Sequence, residues 1–315
     1  MDLRAEVVAA HGRIAPYVRE TPVEESPHLG GGVSRVHLKL ENLQRTGSFK
    51  LRGAMNKLLA LDEGTRARGV VAASTGNHGA AVAWGAAALG CPALVFAPRG
   101  APSAKLDGVR AYGAEVRLVG DDCLQAEAAA RAHARASGAT YVSPYNDALV
   151  VAGQGTLALE LARQLERLDA VFVAVGGGGL IAGVGGYLKA VAPGVEVVAC
   201  SPRNSAVMHA SLAAGRILDL PSEPTLSDGT AGGVEAASIT FELCRAVIDD
   251  FVLVDEDAIA AAVRTVVARH HTLIEGSAGV AVAAFLARRE RYAGKDVAVV
   301  LCGANVDPRV LKDLL

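Results

Sequence analysis

With 315 residues, 51% of them hydrophobic, the chain is long enough for one large or two ordinary domains, and aromatics at only 4% leave Ala, Val and Leu to build the core. A balance of 31 basic and 33 acidic residues, net charge -2, removes any electrostatic case for nucleic acid or an anionic membrane as partner and leaves a small soluble ligand as the expected one. Five cysteines, at 91, 123, 200, 244 and 302, odd in number and never in a C-x-x-C pair, speak against a disulfide framework or a zinc site and imply a cytoplasmic protein.

The opening "MDLRAEVVAAHGRI" reads as a charged amphipathic helix, not as a basic segment followed by an apolar signal core. From there short β-branched runs alternate with Ala-rich stretches, the signature of a parallel sheet with crossover helices. Strands are predicted at 35–40, 69–74, 92–97, 114–119, 170–175, 195–200, 251–254 and 297–302, which makes the fold class α/β. Residues 69–148 read as a compact four-strand unit, with helices from Asn77, Pro102 and Asp122 and "TYVSPYND" at its end. The same alternation continues on both sides. The expected division is therefore a large domain of residues 1–68 and 149–315 with a small inserted domain, 69–148. The uncharged run 171–188, "VFVAVGGGGLIAGVGGYL", has seven glycines, four in succession, and reads as strand, loop and helix instead of a membrane span.

Three stretches carry chemistry. In "GSFKLRGAMNKL", Lys50 stands between Phe49 and Leu51 just after a turn. Such a lysine ordinarily lays its stem on apolar neighbours and keeps its ammonium in water; partial desolvation would instead depress its pKa and make it a nucleophile toward an aldehyde or a proton carrier. "AVGGGGLIAG" follows a strand and opens a helix, so its backbone N–H groups and the positive helix end suit a phosphate. It has neither the dinucleotide spacing G-x-G-x-x-G nor the Lys-Ser/Thr of a Walker loop, and its plain alternative is a turn for close helix–sheet packing. "ASTGNHGAAVAWGAAAL" is a second turn of this kind, whose Ser74, Thr75 and Asn77 suit a carboxylate or simply cap the helix. His78 has no second histidine at metal-ligand spacing and reads as a hydrogen-bonding residue of the turn. One phosphate cradle, one carboxylate cradle and one lysine together fit a phosphorylated aldehyde cofactor joined to the lysine, with an amino acid as substrate.

In that order, and over nearly the whole chain, "SFKLRGA", "STGNHG", "AGQGT", "VGGGGL", "EGSAGVA" and "CGANVD" resemble the serine/threonine dehydratase family of pyridoxal-phosphate enzymes, fold type II, near serine racemase and serine dehydratase. The resemblance implies two open, mainly parallel-sheet domains of the tryptophan synthase β-like type and pyridoxal 5'-phosphate as cofactor. It implies Lys50 as the Schiff-base lysine and general base, Phe49 against the pyridine ring and Asn77 as partner of the ring hydroxyl. Gly176, Gly177, Gly178, Gly179 and Leu180 match the phosphate loop, and Ser74, Thr75, Gly76, Asn77 and His78 the substrate-carboxylate loop. Cys302 falls where relatives place a serine or cysteine facing the pyridine nitrogen; a neutral thiol is a weak donor and acceptor, so the ring would be a weaker electron sink that favours prompt loss of a β-hydroxyl. Glu275 and Gly229 lie in motifs that relatives place near the cofactor.

The implied activity is deamination of L-threonine or L-serine to a 2-oxo acid and ammonia by β-elimination of water. The alternatives are an amino-acid (serine) racemase, in which the Thr75 hydroxyl would be the second proton carrier, and a dehydratase for a less common β-hydroxy amino acid. Residues 201–218 hold no Asp or Glu where metal-activated relatives bind a divalent cation, so no metal is expected. With "CGANVDPRVLKDLL" close to the last residue, no C-terminal regulatory domain is expected, and the resemblance implies a homodimer. Residues 225–250 either shape the pocket around the substrate side chain or form a surface connection.

Overall fold

The computed structural model describes residues 2–315. Its strands are β1 Val23–Glu25, β2 Arg35–Lys39, β3 Val70–Ala73, β4 Ala93–Ala97, β5 Glu115–Leu118, β6 Thr140–Tyr141, β7 Ala170–Ala174, β8 Glu196–Pro202, β9 Asp250–Val254 and β10 Asp296–Val300. They form a six-stranded sheet of order β1-β2-β10-β7-β8-β9 and a four-stranded sheet of order β5-β4-β3-β6. Every pairing is parallel except β1 with β2. The α/β expectation and all eight predicted strands are met. The two unforeseen elements are β1, a short antiparallel edge, and the brevity of β6, which keeps only two residues of "TYVSPYND" in the ladder.

The central strands β7 and β10 are buried at every position, because helices cover both faces of a parallel sheet. Their Val and Ala side chains dominate the core, and the scarce aromatics gather at its middle: Phe172 on β7 meets Phe285 and Tyr292 edge-on at 5.5 and 5.2 Å. The edge strand β5 is mostly exposed and carries Glu115 and Arg117, charges that discourage pairing with another chain.

Helices start where capping chemistry places them. Asp122 accepts from the Gln125 amide and opens Cys123–Ser137, which ends on left-handed Gly138. The run 171–188 resolves into β7, the glycine loop and the helix Gly179–Val191. No helix of the described residues is long and apolar enough to cross a membrane. The four strands of the smaller sheet lie between residues 70 and 141, yet their core also takes in Leu51, Met55 and Leu58 from the helix Lys50–Leu59, which thus packs on both halves of the molecule.

Candidate active site

In open α/β sheets ligands sit beyond the carboxyl ends of strands where the strand order reverses. Here β7 and β10 are neighbours in the larger sheet, and they lead into Gly176–Gly179 and Cys302. In the smaller sheet β3 and β6 flank the reversal and lead to Asn77 and Tyr145. These four ends meet around Lys50, the first residue of its helix, in a cavity of about 470 Å3 including its open mouth.

Lys50 donates from Nζ to the Pro144 carbonyl at 3.0 Å and has the Phe49 ring 5.2 Å away. Burial pushes its pKa down to about 8, with Glu275 opposing the shift through its negative charge. The amine therefore keeps a substantial neutral fraction near physiological pH, which an exposed lysine does not.

Across the cavity the glycine loop leaves no space for side chains. A Cβ on Gly177 would lie 2.5 Å from Cγ and Cε1 of Tyr145, and Gly178 has φ +83°, a conformation that favours glycine. The loop is braced from behind, where Thr240, fully buried, donates its hydroxyl to the Gly177 carbonyl at 2.6 Å. The first amides of Gly179–Val191 have no acceptor within the helix and carry its positive end toward the cavity.

Asn77, at the start of Asn77–Ala88, donates through Nδ2 to both oxygens of Glu275 at 2.8 and 3.0 Å, while its Oδ1 accepts from Asn305 Nδ2 at 2.6 Å. Glu275 also accepts from the Asn305 amide at 3.0 Å, yet burial outweighs these bonds and pushes its pKa up to about 7. The Cys302 thiol, buried beside it, is raised well above its ordinary range by burial and by the Glu275 charge, so it stays a neutral thiol.

Phe49, Lys50, Asn77, Gly176–Gly179, Leu180, Gly229, Glu275 and Cys302 thus line one cavity, and Ser74, Thr75, Gly76 and His78 flank Asn77 in the turn and first residues of its helix. The Ser74 hydroxyl accepts from the Gly76 amide at 3.3 Å, and Thr75 is half-buried next to it. His78 lies 2.8 Å through Nε2 from the Val142 carbonyl; burial first, then the Lys50 charge, pushes its pKa down to about 3, so the ring is neutral. Tyr145, Thr230 and Ser277 also line the cavity; Ser277 lies within "EGSAGVA" and Thr230 adjoins Gly229, whereas Tyr145 belongs to none of the six family motifs. Tyr145 could have been sought in the polar cluster after β6, where its hydroxyl accepts from the Glu235 amide at 3.0 Å. The stretch that supplies Gly229 and Thr230 to the cavity is tied to helices of the smaller sheet by the ion pairs Lys105–Asp228 and Arg131–Glu235, the latter at 2.8 Å.

Residues 14–303 match the family model described as pyridoxal-phosphate dependent enzyme. The chain belongs to that pyridoxal-phosphate dependent family. It is 42% identical to an L-threonine ammonia-lyase of Thermotoga maritima over 280 residues, 89% of this chain and 69% of that one. Among solved structures it is similar to the processed form of threonine deaminase isoform 2 from Solanum lycopersicum, with TM-score 0.95 and 35% identity over 99% of this chain and 86% of that one. It is also similar to maize serine racemase, with TM-score 0.93 and 33% identity over 98% and 95%.

The cavity fits the family's cofactor on its own chemistry. A cradle that only glycine can form, at a helix N-terminus, suits a phosphate. A desolvated amine faces the same space and suits an aldehyde, and a flat apolar ring beside it suits stacking. The neutral Cys302 thiol fits an uncharged ring nitrogen better than a carboxylate would.

Proposed function

We propose that the chain converts L-threonine or L-serine to the corresponding 2-oxo acid and ammonia, with Lys50 as the catalytic base. The observation that carries this is the buried amine of Lys50, its pKa lowered to about 8, opposite a glycine cradle in one cavity. When bound, pyridoxal phosphate supplies an electron sink for the pair left at the substrate Cα. Gly176–Gly179 with Leu180 would hold its phosphate, Phe49 would lie against the ring, and Cys302 would leave the ring nitrogen without a strong proton partner. Lys50, once neutral, takes the Cα proton; the β-hydroxyl then departs as water with a proton, and hydrolysis returns one water and frees ammonia. The loop 74–78 binds the substrate carboxylate in this reading, with Asn77 divided between substrate and cofactor.

The relatives' names support a lyase and a racemase alike. Racemisation requires a second proton carrier, for which Thr75 is the candidate; elimination is the reading preferred, because a relative named L-threonine ammonia-lyase is 42% identical and relatives named serine racemase are 35% and 36% identical. A homodimer by likeness to relatives, a cytoplasmic location from the cysteine usage, and residues 69–148 as a small inserted domain from the strand and helix alternation complete the proposal. Incubation with L- and D-serine and L- and D-threonine, with oxo acid, ammonia and enantiomer assayed separately, tests it. Oxo acid and ammonia from the L-isomers support the proposal; inverted amino acid alone would refute it.

A further inference from the structure

The reaction above leaves unused the most heavily charged cluster of the interior. Lys39, Glu41, Arg52 and Glu160 are all buried. Arg52 grips two carboxylates at once: Nε and Nη2 donate to Glu41 at 2.7 and 2.8 Å, and Nη1 and Nη2 donate to Glu160 at 2.5 and 2.8 Å. Lys39 donates to the same Glu160 at 2.6 Å and balances the charge. A buried cluster of this kind is weak evidence for stability, since packed apolar side chains serve as well, and geometric specificity is its better-attested use.

Its position says what geometry it would fix. Arg52 follows Lys50 by two residues in the same helical turn, so at about 100° per residue the two side chains leave opposite faces. Lys50 faces the cavity, and Arg52 faces the helix Ala148–Gln164 that carries Glu160. The two helices cross closely, since a Cβ on Gly153 would lie 2.7 Å from the Gly53 Cα and 2.6 Å from the Arg52 carbonyl. A smooth glycine contact permits the approach but does not set rotation about the helix axis, whereas a planar fork held by two carboxylates does.

We propose that Arg52 is a positioning residue: by clamping Glu41 and Glu160 it sets the roll of Lys50–Leu59 and so aims the Lys50 amine. The proposal rests on the reading of Lys50 as the catalytic base. The leverage is large, because an extended lysine amine lies about 8 Å from the helix axis and a roll of ~10° moves it ~1.4 Å. Misplacement by about 1 Å costs on the order of 100-fold in rate.

Arg52→Lys keeps the charge and loses the fork. In the holoenzyme it is expected to lower kcat by about 10- to 100-fold with KM within about threefold, and to slow formation of the borohydride-reducible cofactor adduct at Lys50 by at least about tenfold. Glu41→Gln, which leaves the Glu160 arm intact, is expected to move both readouts the same way by less, and it carries the test if Arg52→Lys does not fold. A lowered melting temperature with kcat and adduct rate within about threefold of the parent would make the cluster purely structural and overturn the proposal. A reduced adduct mapped in the parent protein to a side chain other than Lys50 would overturn the proposed function itself, and this inference with it. A normal parent adduct with unaffected variants would overturn this inference alone.

Discussion

Replacing Glu275 with glutamine removes a proton-binding group whose two states the fold treats very differently. The carboxyl is 3% exposed and accepts three N–H bonds, yet burial holds its pKa at about 7, against its ordinary 4.5. Below pH 4.5 it is protonated whether the chain is folded or not, and its full contribution to stability is present. As pH rises from there to about 7, the unfolded chain releases the proton while the folded chain retains it, so stability falls; above about 7 the loss levels off. The gap between 4.5 and about 7, at about 1.4 kcal/mol per pH unit, corresponds to about 3 kcal/mol. In Glu275→Gln the new side-chain amide would keep an acceptor for Asn77 but present an N–H2 to the Asn305 amide, a mismatch that offsets the variant by a constant amount at every pH. Urea unfolding of the cofactor-free protein from pH 4.5 to 8 measures the difference. The variant should gain on the parent by about 3 kcal/mol across that range, and a difference flat to within about 0.5 kcal/mol would mean that Glu275 ionises as an exposed carboxyl does.

Other perturbations probe the remaining walls. In the cofactor-free protein the Lys50 amine should acylate with a midpoint near pH 8 when followed by peptide mapping, and a midpoint above about 10 would show that water reaches it freely. Gly177→Ala drives a methyl into the Tyr145 ring; overpacking of about 1–3 kcal/mol should weaken cofactor binding by about 10- to 100-fold in an absorbance titration, and unchanged affinity would mean that the ring yields without cost. Thr240→Val strips the donor from the Gly177 carbonyl and should cost about 1–3 kcal/mol of cofactor affinity, with Thr240→Ser restoring most of it; equal affinity in all three would show the brace to be idle.

Much of this architecture is legible in the residue order, for reasons particular to each element. Runs such as "AVFVAV" and "VAVVLC" are apolar at every position because parallel strands are covered on both faces, and that signal survives without any partner in view. β1 has one apolar residue in three and pairs antiparallel at an edge, so nothing in its composition separates it from loop. Lys50, Asn77 and Gly176–Gly179 announce themselves because anion cradles need glycine and helix starts at fixed places along the chain. Ser277 and Thr230 share the motifs of Glu275 and Gly229, whereas Tyr145 reaches the same cavity only through tertiary packing. Glu41 and Glu160 are equally silent, and although Arg52 lies in "SFKLRGA" its partner does not show there, because Arg52 and Glu160 stand 108 residues apart and meet only where the helices cross.

The buried ions behind Lys50 also give the molecule an uneven response to heat. Hydration of charged groups becomes less favourable on warming, so keeping Lys39, Glu41, Arg52 and Glu160 out of water grows less costly as temperature rises, while apolar burial gains little more per unit area. Warming should therefore loosen the edges first, at exposed β5 and its neighbours, and leave the mount of the reactive amine among the last parts to give way.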